Sequence, residues 1–342
     1  MTEKSNKDIK IGIIGNGSVG QTFAVTLSSY GYDVEVAGRQ PSGIKIDDGF
    51  VYEITGDFGD KTYLINVFPD ASLFTSKKDF IIIATKTYDT PRASKQALSL
   101  LKDDGAIITI QNWFCLNKVM KTIPSDKSIA MNFDFSCFTE GHKVTVINTG
   151  CIHLGVYDQN AYNKLLVAKE IFSNICKVET VKDVMGFVMS RNIINSAIAS
   201  IGAVSGLRLG EFLEDRNGKR IFVRSIREAL NLMKKINICV LPYNNQLDYY
   251  RFCEKGLFGF FYREDIINIL KKFNRNIKSS ALVQIETKKK CEVKFVIGTL
   301  LAYADRLGLK MKYTRALYYM LSDIIKGKRN IHKNNLKSRS FK

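Results

Sequence analysis

Cysteine pairs, histidine clusters and long apolar runs are all missing from this 342-residue sequence. Its seven cysteines (115, 137, 151, 176, 239, 253 and 291) are odd in number and never form a CxxC pair, and its three histidines (142, 153 and 332) are equally scattered. That pattern indicates neither a disulfide framework nor a zinc site, so the reading is free, buried thiols and no metal. No apolar run approaches the roughly 18 residues that crossing a bilayer takes. The longest, Ala197–Val204 and Phe295–Ala304, are broken by Ser, Gly or Thr and read as buried helices. The opening MTEKSNKD has no apolar stretch behind its charges; no secretory signal is expected, and the reading is a cytoplasmic protein. No internal repeat is evident.

What is present is positive charge: the balance is +18. The excess is spread along the chain, with no basic stripe interleaved with aromatics, which argues against a nucleic-acid surface. One sharp cluster follows Ile325, KGKRNIHKNNLKSRSFK, with seven basic residues and no acid. It reads as a poorly ordered, solvated tail over 326–342; nucleic-acid or membrane contact is the competing reading and is not expected. The length suffices for two domains, each with its own core.

Ile9–Gly15 (IKIGIIG) is a short, nearly continuous apolar run, as a central parallel strand buried on both faces requires. A turn follows, then helical spacing over Val19–Tyr30 ending at Gly31, and a second strand at Asp33–Ala37. Phe50–Thr55, Tyr63–Phe68, Asp79–Thr85 and Ala106–Ile110 read as further strands, with helical Ala93–Leu101 between the last two. Strands alternating with helices predict an α/β, doubly wound parallel sheet over 1–165. From 166 to 325 helical periodicity dominates, at Leu165–Cys176, Val184–Val204, Lys219–Ile236, Arg263–Phe273, Glu292–Leu307 and Tyr313–Lys326, which predicts an all-α second domain.

The first strand runs into Gly15-Asn16-Gly17-Ser18-Val19-Gly20, a complete GxGxxG. Gly15 allows the tight turn, Gly17 lets the backbone approach a pyrophosphate, and Gly20 lets the helix pack against the strand. The helix N-terminus then favours the negative charge. The motif alone is weak, but here it follows a strand and opens a helix, the context that marks a dinucleotide-binding turn. An NAD site commonly ends its second strand on an acid; here the strand ends Ala37-Gly38-Arg39. Arginine suits a 2′-phosphate, so NADP(H) is the expected cofactor.

With that turn in place, the chain to about residue 325 resembles the ketopantoate reductase (2-dehydropantoate 2-reductase) family. The resemblance begins with GNGSVGQTF and Arg39 and continues through Thr85-Lys86-Thr87-Tyr88-Asp89 and Gln111-Asn112. In the helical half it runs through Glu228, Ser279-Ser280-Ala281-Leu282 and Glu292 with Gly298. It implies hydride transfer from NADPH to the ketone of a small 2-oxo acid in the cleft between the domains, giving a 2-hydroxy acid. Lys86, Asn112 and Glu292 would join the glycine turn at the cofactor, and Asn112, Asn195, Ser280 and Glu228 would hold substrate. A homodimer is the assembly it allows.

The departures fall on the chemistry. The family's first long helix of the second domain carries a general-acid lysine followed by asparagines at four-residue steps. Aligning backwards from Gly210-Glu211-Phe212 puts Arg191, Asn195 and Ala199 there, on one helical face. A slip of four residues would put Phe187 at the lysine, and either register leaves no lysine in place. Gln284, Trp113 and Lys312 stand where the family has aspartate, glycine and proline. A guanidinium stays charged, so Arg191 can stabilise an alkoxide but does not readily protonate it. Lys86 is the substitute cation, with a surface lysine at a strand end as the plain alternative. The expected function is thus an NADPH-dependent reductase of a carboxylate-bearing carbonyl compound, with Arg191 and Lys86 catalytic. Its rival is a catalytically weak homologue that binds NADP(H) as a sensor or scaffold.

Overall fold

A strand buried on both faces needs apolar side chains at successive positions, and β1 (Lys10–Ile14) supplies them, Ile11 and Ile13 to one face and Ile14 to the other. The computed structural model describes residues 8–39, 45–46, 49–110, 121–243, 247–276, 278–288 and 290–341. They fall into two units, the first reaching Val184 and the second starting at Met185.

The first unit is built on one sheet. Its strands are β1, β2 (Asp33–Ala37), β3 (Lys45–Ile46), β4 (Gly49–Gly56), β5 (Lys61–Phe68), β6 (Lys78–Ile83), β7 (Leu101–Thr109), β8 (Ser128–Phe133), β9 (Ser136–Glu140), β10 (Lys143–Ile147), β11 (Cys151–Val156) and β12 (Lys177–Thr180). The spatial order is β12-β11-β8-β7-β6-β1-β2-β5-β4-β10-β9, with β3 on β4. From β5 across to β8 all pairings are parallel, and the order turns back at β1, the place where such sheets bind ligands beyond their strand ends. Helices α1 (Ser18–Ser29) and α3 (Tyr162–Ser173) bury Phe23, Leu165 and Ile171 in the core cluster that takes Phe80 and Ile82, while α2 (Thr90–Leu100) covers Ile81 and Ile83 on the other face.

The parallel sheet expected from sequence is only the centre of a mixed sheet. β4 runs antiparallel to β5, β11 to β8 and β9 to β10. These outer strands alternate buried and exposed residues, as in β10, because one face looks to solvent. The unit also runs past residue 165, because β12 pairs with β11 and α3 packs under it.

The second unit is helical: α4 (Val184–Ser205), α5 (Leu209–Glu214), α6 (Arg216–Lys235), α7 (Tyr249–Cys253), α8 (Leu257–Asn274), α9 (Ser280–Glu286), α10 (Glu292–Arg306) and α11 (Lys312–Ile325). Asp215 caps α6, accepting from the N–H groups of Asn217 and Gly218 at 2.8 Å each, and Lys234 and Lys235 close its last turn. The helix then presents Ile221, Phe222, Ile226, Leu230 and Met233 to its neighbours α5, α7, α10 and α11. Helix α4 is long and apolar enough to pass for a membrane span by length and composition, yet 67% of that window is buried in the protein, which marks a core helix. It contains no unbroken apolar run because Arg191, Asn192 and several serines interrupt it.

Residues 326–342, expected as a poorly ordered tail, instead run through two short 3₁₀ turns as far as Phe341. Leu336 and Phe341 are buried, Phe341 stacks on Tyr313, and Asn335 donates to the Val204 carbonyl at 2.9 Å. Phe341 holds this segment on α11, the Asn335 hydrogen bond holds it on α4, and the turn that carries Leu336 packs on α6, none of which a count of charges reveals.

Candidate functional site

The turn between β1 and α1 is tied into the strand ends on both sides. Gly15 N–H donates to the Ala37 carbonyl at 2.8 Å, and Ala84 N–H donates to the Ile14 carbonyl at 2.9 Å. Gly15 has φ 123°, a conformation that side chains resist, and a Cβ there would lie 2.6 Å from the Ala84 carbonyl. A Cβ on Gly20 would lie 1.8 Å from the Gly15 carbonyl oxygen, so only glycine lets α1 start so close to its strand. Gly17 differs: a Cβ there would meet nothing within 4 Å. No side chain caps α1 and no acid lies in its first turn, which Ser18, Val19 and Gly20 form. Open space over a bare helix N-terminus, with its partial positive charge, fits the pyrophosphate of a dinucleotide.

Arg39 leaves the end of β2 with its side chain exposed. Its carbonyl accepts from Asn16 Nδ2 at 2.7 Å, and Asn16 Oδ1 accepts from the Tyr52 hydroxyl at 2.8 Å. Burial pushes the Tyr52 phenol up to about 12, so at neutral pH it stays the donor and fixes which way the Asn16 amide points. The second residue of the glycine motif thus anchors the arginine that ends the next strand. Sequence reading placed Asn16 in the turn but missed Tyr52; the alternation of β4, which buries Tyr52, is the signal that could have found it.

Lys86 lies just beyond β6, exposed, in a turn where its carbonyl accepts from Asp89 N–H at 2.8 Å and from the Thr90 hydroxyl at 3.2 Å. Its charge is felt at the Cys137 thiol, which burial nonetheless pushes up and which bonds to Thr22 of α1. Glycine turn, Arg39 and Lys86 therefore gather along one edge, at the ends of β1, β2 and β6. Asn112, with Gln111 and Trp113, lies outside the described residues.

In the second unit Phe187, Arg191, Asn195 and Ala199 follow one another along one face of α4. Asn195 is exposed, whereas Arg191 is only 9% exposed. The Arg191 guanidinium lies 5.3 Å from the Phe187 ring centre and 5.4 Å from that of Tyr243, a setting that favours a cation with little water around it. Beside it Tyr249, fully buried, donates to the Ser190 carbonyl, and burial drives its phenol well above the ordinary tyrosine range. Tyr243 and Tyr249 lie more than fifty residues of sequence beyond Arg191, and spacing alone did not point to them.

The remaining expected residues take more varied positions. Ser280 is exposed in the first turn of α9; its neighbour Ser279 caps that helix and reaches the Ala199 carbonyl at 3.4 Å. Gln284 Oε1 accepts from the Glu292 N–H at 2.9 Å, so it caps α10, and Glu292 is half-buried at that helix start. Glu228, expected at the substrate, lies instead against the start of α11. Its two carboxylate oxygens accept from Tyr313 N–H, Thr314 N–H and the Thr314 hydroxyl, each at 2.8 Å. That is a helix-capping position, and burial raises the carboxyl above its usual range.

Comparison with known proteins adds three findings. The family model of ketopantoate reductase PanE/ApbA matches residues 11–159, and the model of that family's C-terminal part matches residues 183–324. The 2-dehydropantoate 2-reductase of Pyrococcus horikoshii is 23% identical over 325 residues, covering 94% of this chain and 98% of its own length. Among solved structures, a PanE/ApbA family ketopantoate reductase from Ralstonia eutropha JMP134 superposes with a TM-score of 0.79 at 16% identity, covering 94% of this chain and 100% of its own. A D-mandelate dehydrogenase held with NADH and anilino(oxo)acetate gives 0.76 at 14% identity, covering 94% and 99%. At these identities the structural likenesses speak for the fold.

Proposed function

The chain belongs to the ketopantoate reductase family, and from that premise we propose that it reduces a 2-oxo acid to the 2-hydroxy acid with NADPH. The observation that carries the reading is the open glycine turn beside Arg39, whose backbone is held by Asn16 and Tyr52. The turn takes the pyrophosphate, and Arg39 takes the 2′-phosphate that separates NADPH from NADH. When bound, the reduced nicotinamide supplies the hydride.

The chain's own residues divide the remaining work. Arg191 is desolvated and stays cationic, so it grips the substrate carboxylate through two parallel hydrogen bonds and steadies charge as the ketone is reduced. Asn195, one turn further along α4, adds a hydrogen bond, and Ser280 and Asn112 complete the substrate contacts. Lys86 is the group able to deliver the proton, a task the guanidinium cannot perform. Glu292 joins the cofactor contacts. Glu228 takes no part, since both its oxygens serve α11. The dehydrogenase noted above holds anilino(oxo)acetate, so aryl acids belong among the substrates to be tried.

The test is NADPH oxidation across a panel of 2-oxo acids: ketopantoate, branched aliphatic acids and aryl acids. At least one should be turned over in the ordinary range, kcat/KM of about 10⁴ M⁻¹s⁻¹ or more, with ketopantoate well below it. Tight NADPH binding with no turnover of any acid would overturn the proposal.

A further inference from the structure

At the other end of the sheet, β11 is separated from β1 by β8, β7 and β6. Cys151 and His153 lie two residues apart on β11 and so share a face. Glu179 of β12 is the register partner of His153. Asp134, just past β8, donates its backbone N–H to the Cys151 carbonyl at 3.0 Å. The Cys151 sulfur, a ring nitrogen of His153 and a Glu179 oxygen all lie within 4.8 Å of one another.

The hydrogen bonding around the ring has a direction. His153 Nε2 is 3.0 Å from Asp134 Oδ2, and Nδ1 is 3.7 Å from Glu179 Oε2. Each ring nitrogen thus has a carboxylate beside it; for Nδ1 to bind a cation, Nε2 keeps its proton and donates a hydrogen bond to Asp134, which accepts it. Lys177 engages the other Glu179 oxygen, Oε1, at 2.6 Å, which leaves Oε2 facing the ring. A carboxylate behind a histidine whose other nitrogen faces a thiol and a second carboxylate is the arrangement that orients a metal-binding imidazole.

We propose that Cys151, His153 and Glu179 bind one Zn²⁺ ion, with Asp134 holding the histidine in its ligating orientation. Thiolate with imidazole selects zinc or a similar borderline metal over magnesium or calcium. With zinc bonds of about 2.0–2.3 Å, neighbouring ligand atoms in a tetrahedron stand roughly 3.3–3.7 Å apart. The Nδ1 to Oε2 distance already fits, and the rest closes by rotation of the Glu179 side chain, which is 45% exposed, against the 11% of His153. The fourth position is left to water. The ion would join β11 to β12 at the edge of the sheet, with Asp134 at the end of β8 behind the histidine.

The full-length chain, stripped with a chelator under reducing conditions, is titrated with Co²⁺ and then Zn²⁺. One equivalent of Co²⁺ should bind with a thiolate-to-cobalt charge-transfer band, and Zn²⁺ should displace it. Cys151→Ser should abolish the band. Glu179→Gln and His153→Gln should weaken binding by about 100-fold, and Asp134→Asn by about 10–100-fold with the band intact. Cys239→Ser, which removes an exposed thiol of the second unit, should change nothing. Circular dichroism checks the fold of each variant. Absence of a charge-transfer band, or a band that survives Cys151→Ser, would overturn the proposal. If Cys151→Ser does not fold, unaltered affinity in Glu179→Gln and Asp134→Asn overturns it equally.

Discussion

Glu35→Gln should be among the most damaging single changes in the first unit. Glu35 lies in β2 and Lys78 opens β6, and between them β1 passes with Gly12. A Cβ on Gly12 would come within 3.1 Å of Lys78 Cγ and 2.8 Å of the Phe74 ring, so the glycine makes room for the lysine stem. The ammonium then meets Glu35 Oε2 at 2.5 Å, with side-chain exposures of 0% and 4%. Glu35 also accepts from Thr75, through its N–H at 3.1 Å and its hydroxyl at 2.5 Å. Glutamine keeps the shape and can still accept from Thr75, so the loss is that of charge opposite a buried ammonium. Breaking a buried pair in this way costs about 3–5 kcal/mol. For a unit of this size, each kcal/mol lowers the melting temperature by roughly 2–4 °C, which gives a fall of about 6–20 °C. Lys78→Met should cost a comparable amount, whereas the double variant, with no charge left to bury, should recover most of the loss. Thermal unfolding of the four proteins at one pH and salt concentration measures this. A Glu35→Gln cost under about 1 kcal/mol, or two losses that simply add, would show that the pair is not the coupled, dry interaction described.

Three further outcomes follow from the sites. NADPH should bind at least about tenfold more tightly than NADH, since a charge-assisted hydrogen bond contributes roughly 1.5–3 kcal/mol; Arg39→Ala should remove most of that preference, and equal affinities in the unaltered protein would refute the role of Arg39. Arg191→Lys with Ala199→Asn and Gln284→Asp should lower activity on the native 2-oxo acid at least tenfold without yielding an efficient ketopantoate reductase; strong ketopantoate turnover in the triple variant would show a merely decayed site. Glu228 has a raised carboxyl in the folded state, so its contribution to stability is complete below the ordinary glutamate range and is lost as pH rises through its elevated folded value. Unfolding measured across that range should show this decline in the unaltered protein and a flatter profile, with about 1 kcal/mol less stability at low pH, in Glu228→Gln; identical pH slopes would contradict the assignment.

Much of the cofactor half was legible because its determinants are local. A strand buried on both faces, three glycines at fixed offsets and a helix start fall within about twenty residues, and Arg39 follows one strand later. Their geometry is dictated by backbone conformation and close approach, which neighbouring residues set for themselves. Most long helices of the second unit were legible for the same reason, since a 3.6-residue period is written into consecutive positions. The short outer strands β9 to β12 were not read, because four to six partly exposed residues leave little pattern, and their identity as strands depends on which neighbour they pair with.

The side chains that act across the sequence were decided only by the tertiary structure. Glu228 looked like a substrate contact until α11, some eighty residues later, was seen to place its N–H groups on it. The tail looked solvated by charge count, yet Leu336 and Phe341 are buried, and Phe341 stacks on α11. Cysteine and histidine spacing argued against a metal, but sheet pairing brings Cys151, His153, Asp134 and Glu179 together from three segments. By itself the sequence determined the fold class, the dinucleotide turn and the family, all properties of residues near one another along the chain. The lock on Arg39, the aromatic surround of Arg191 and the cluster at β11 came from the packing of distant segments, because a hydrogen bond or ligand set depends on distance in space, and only the folded chain defines that.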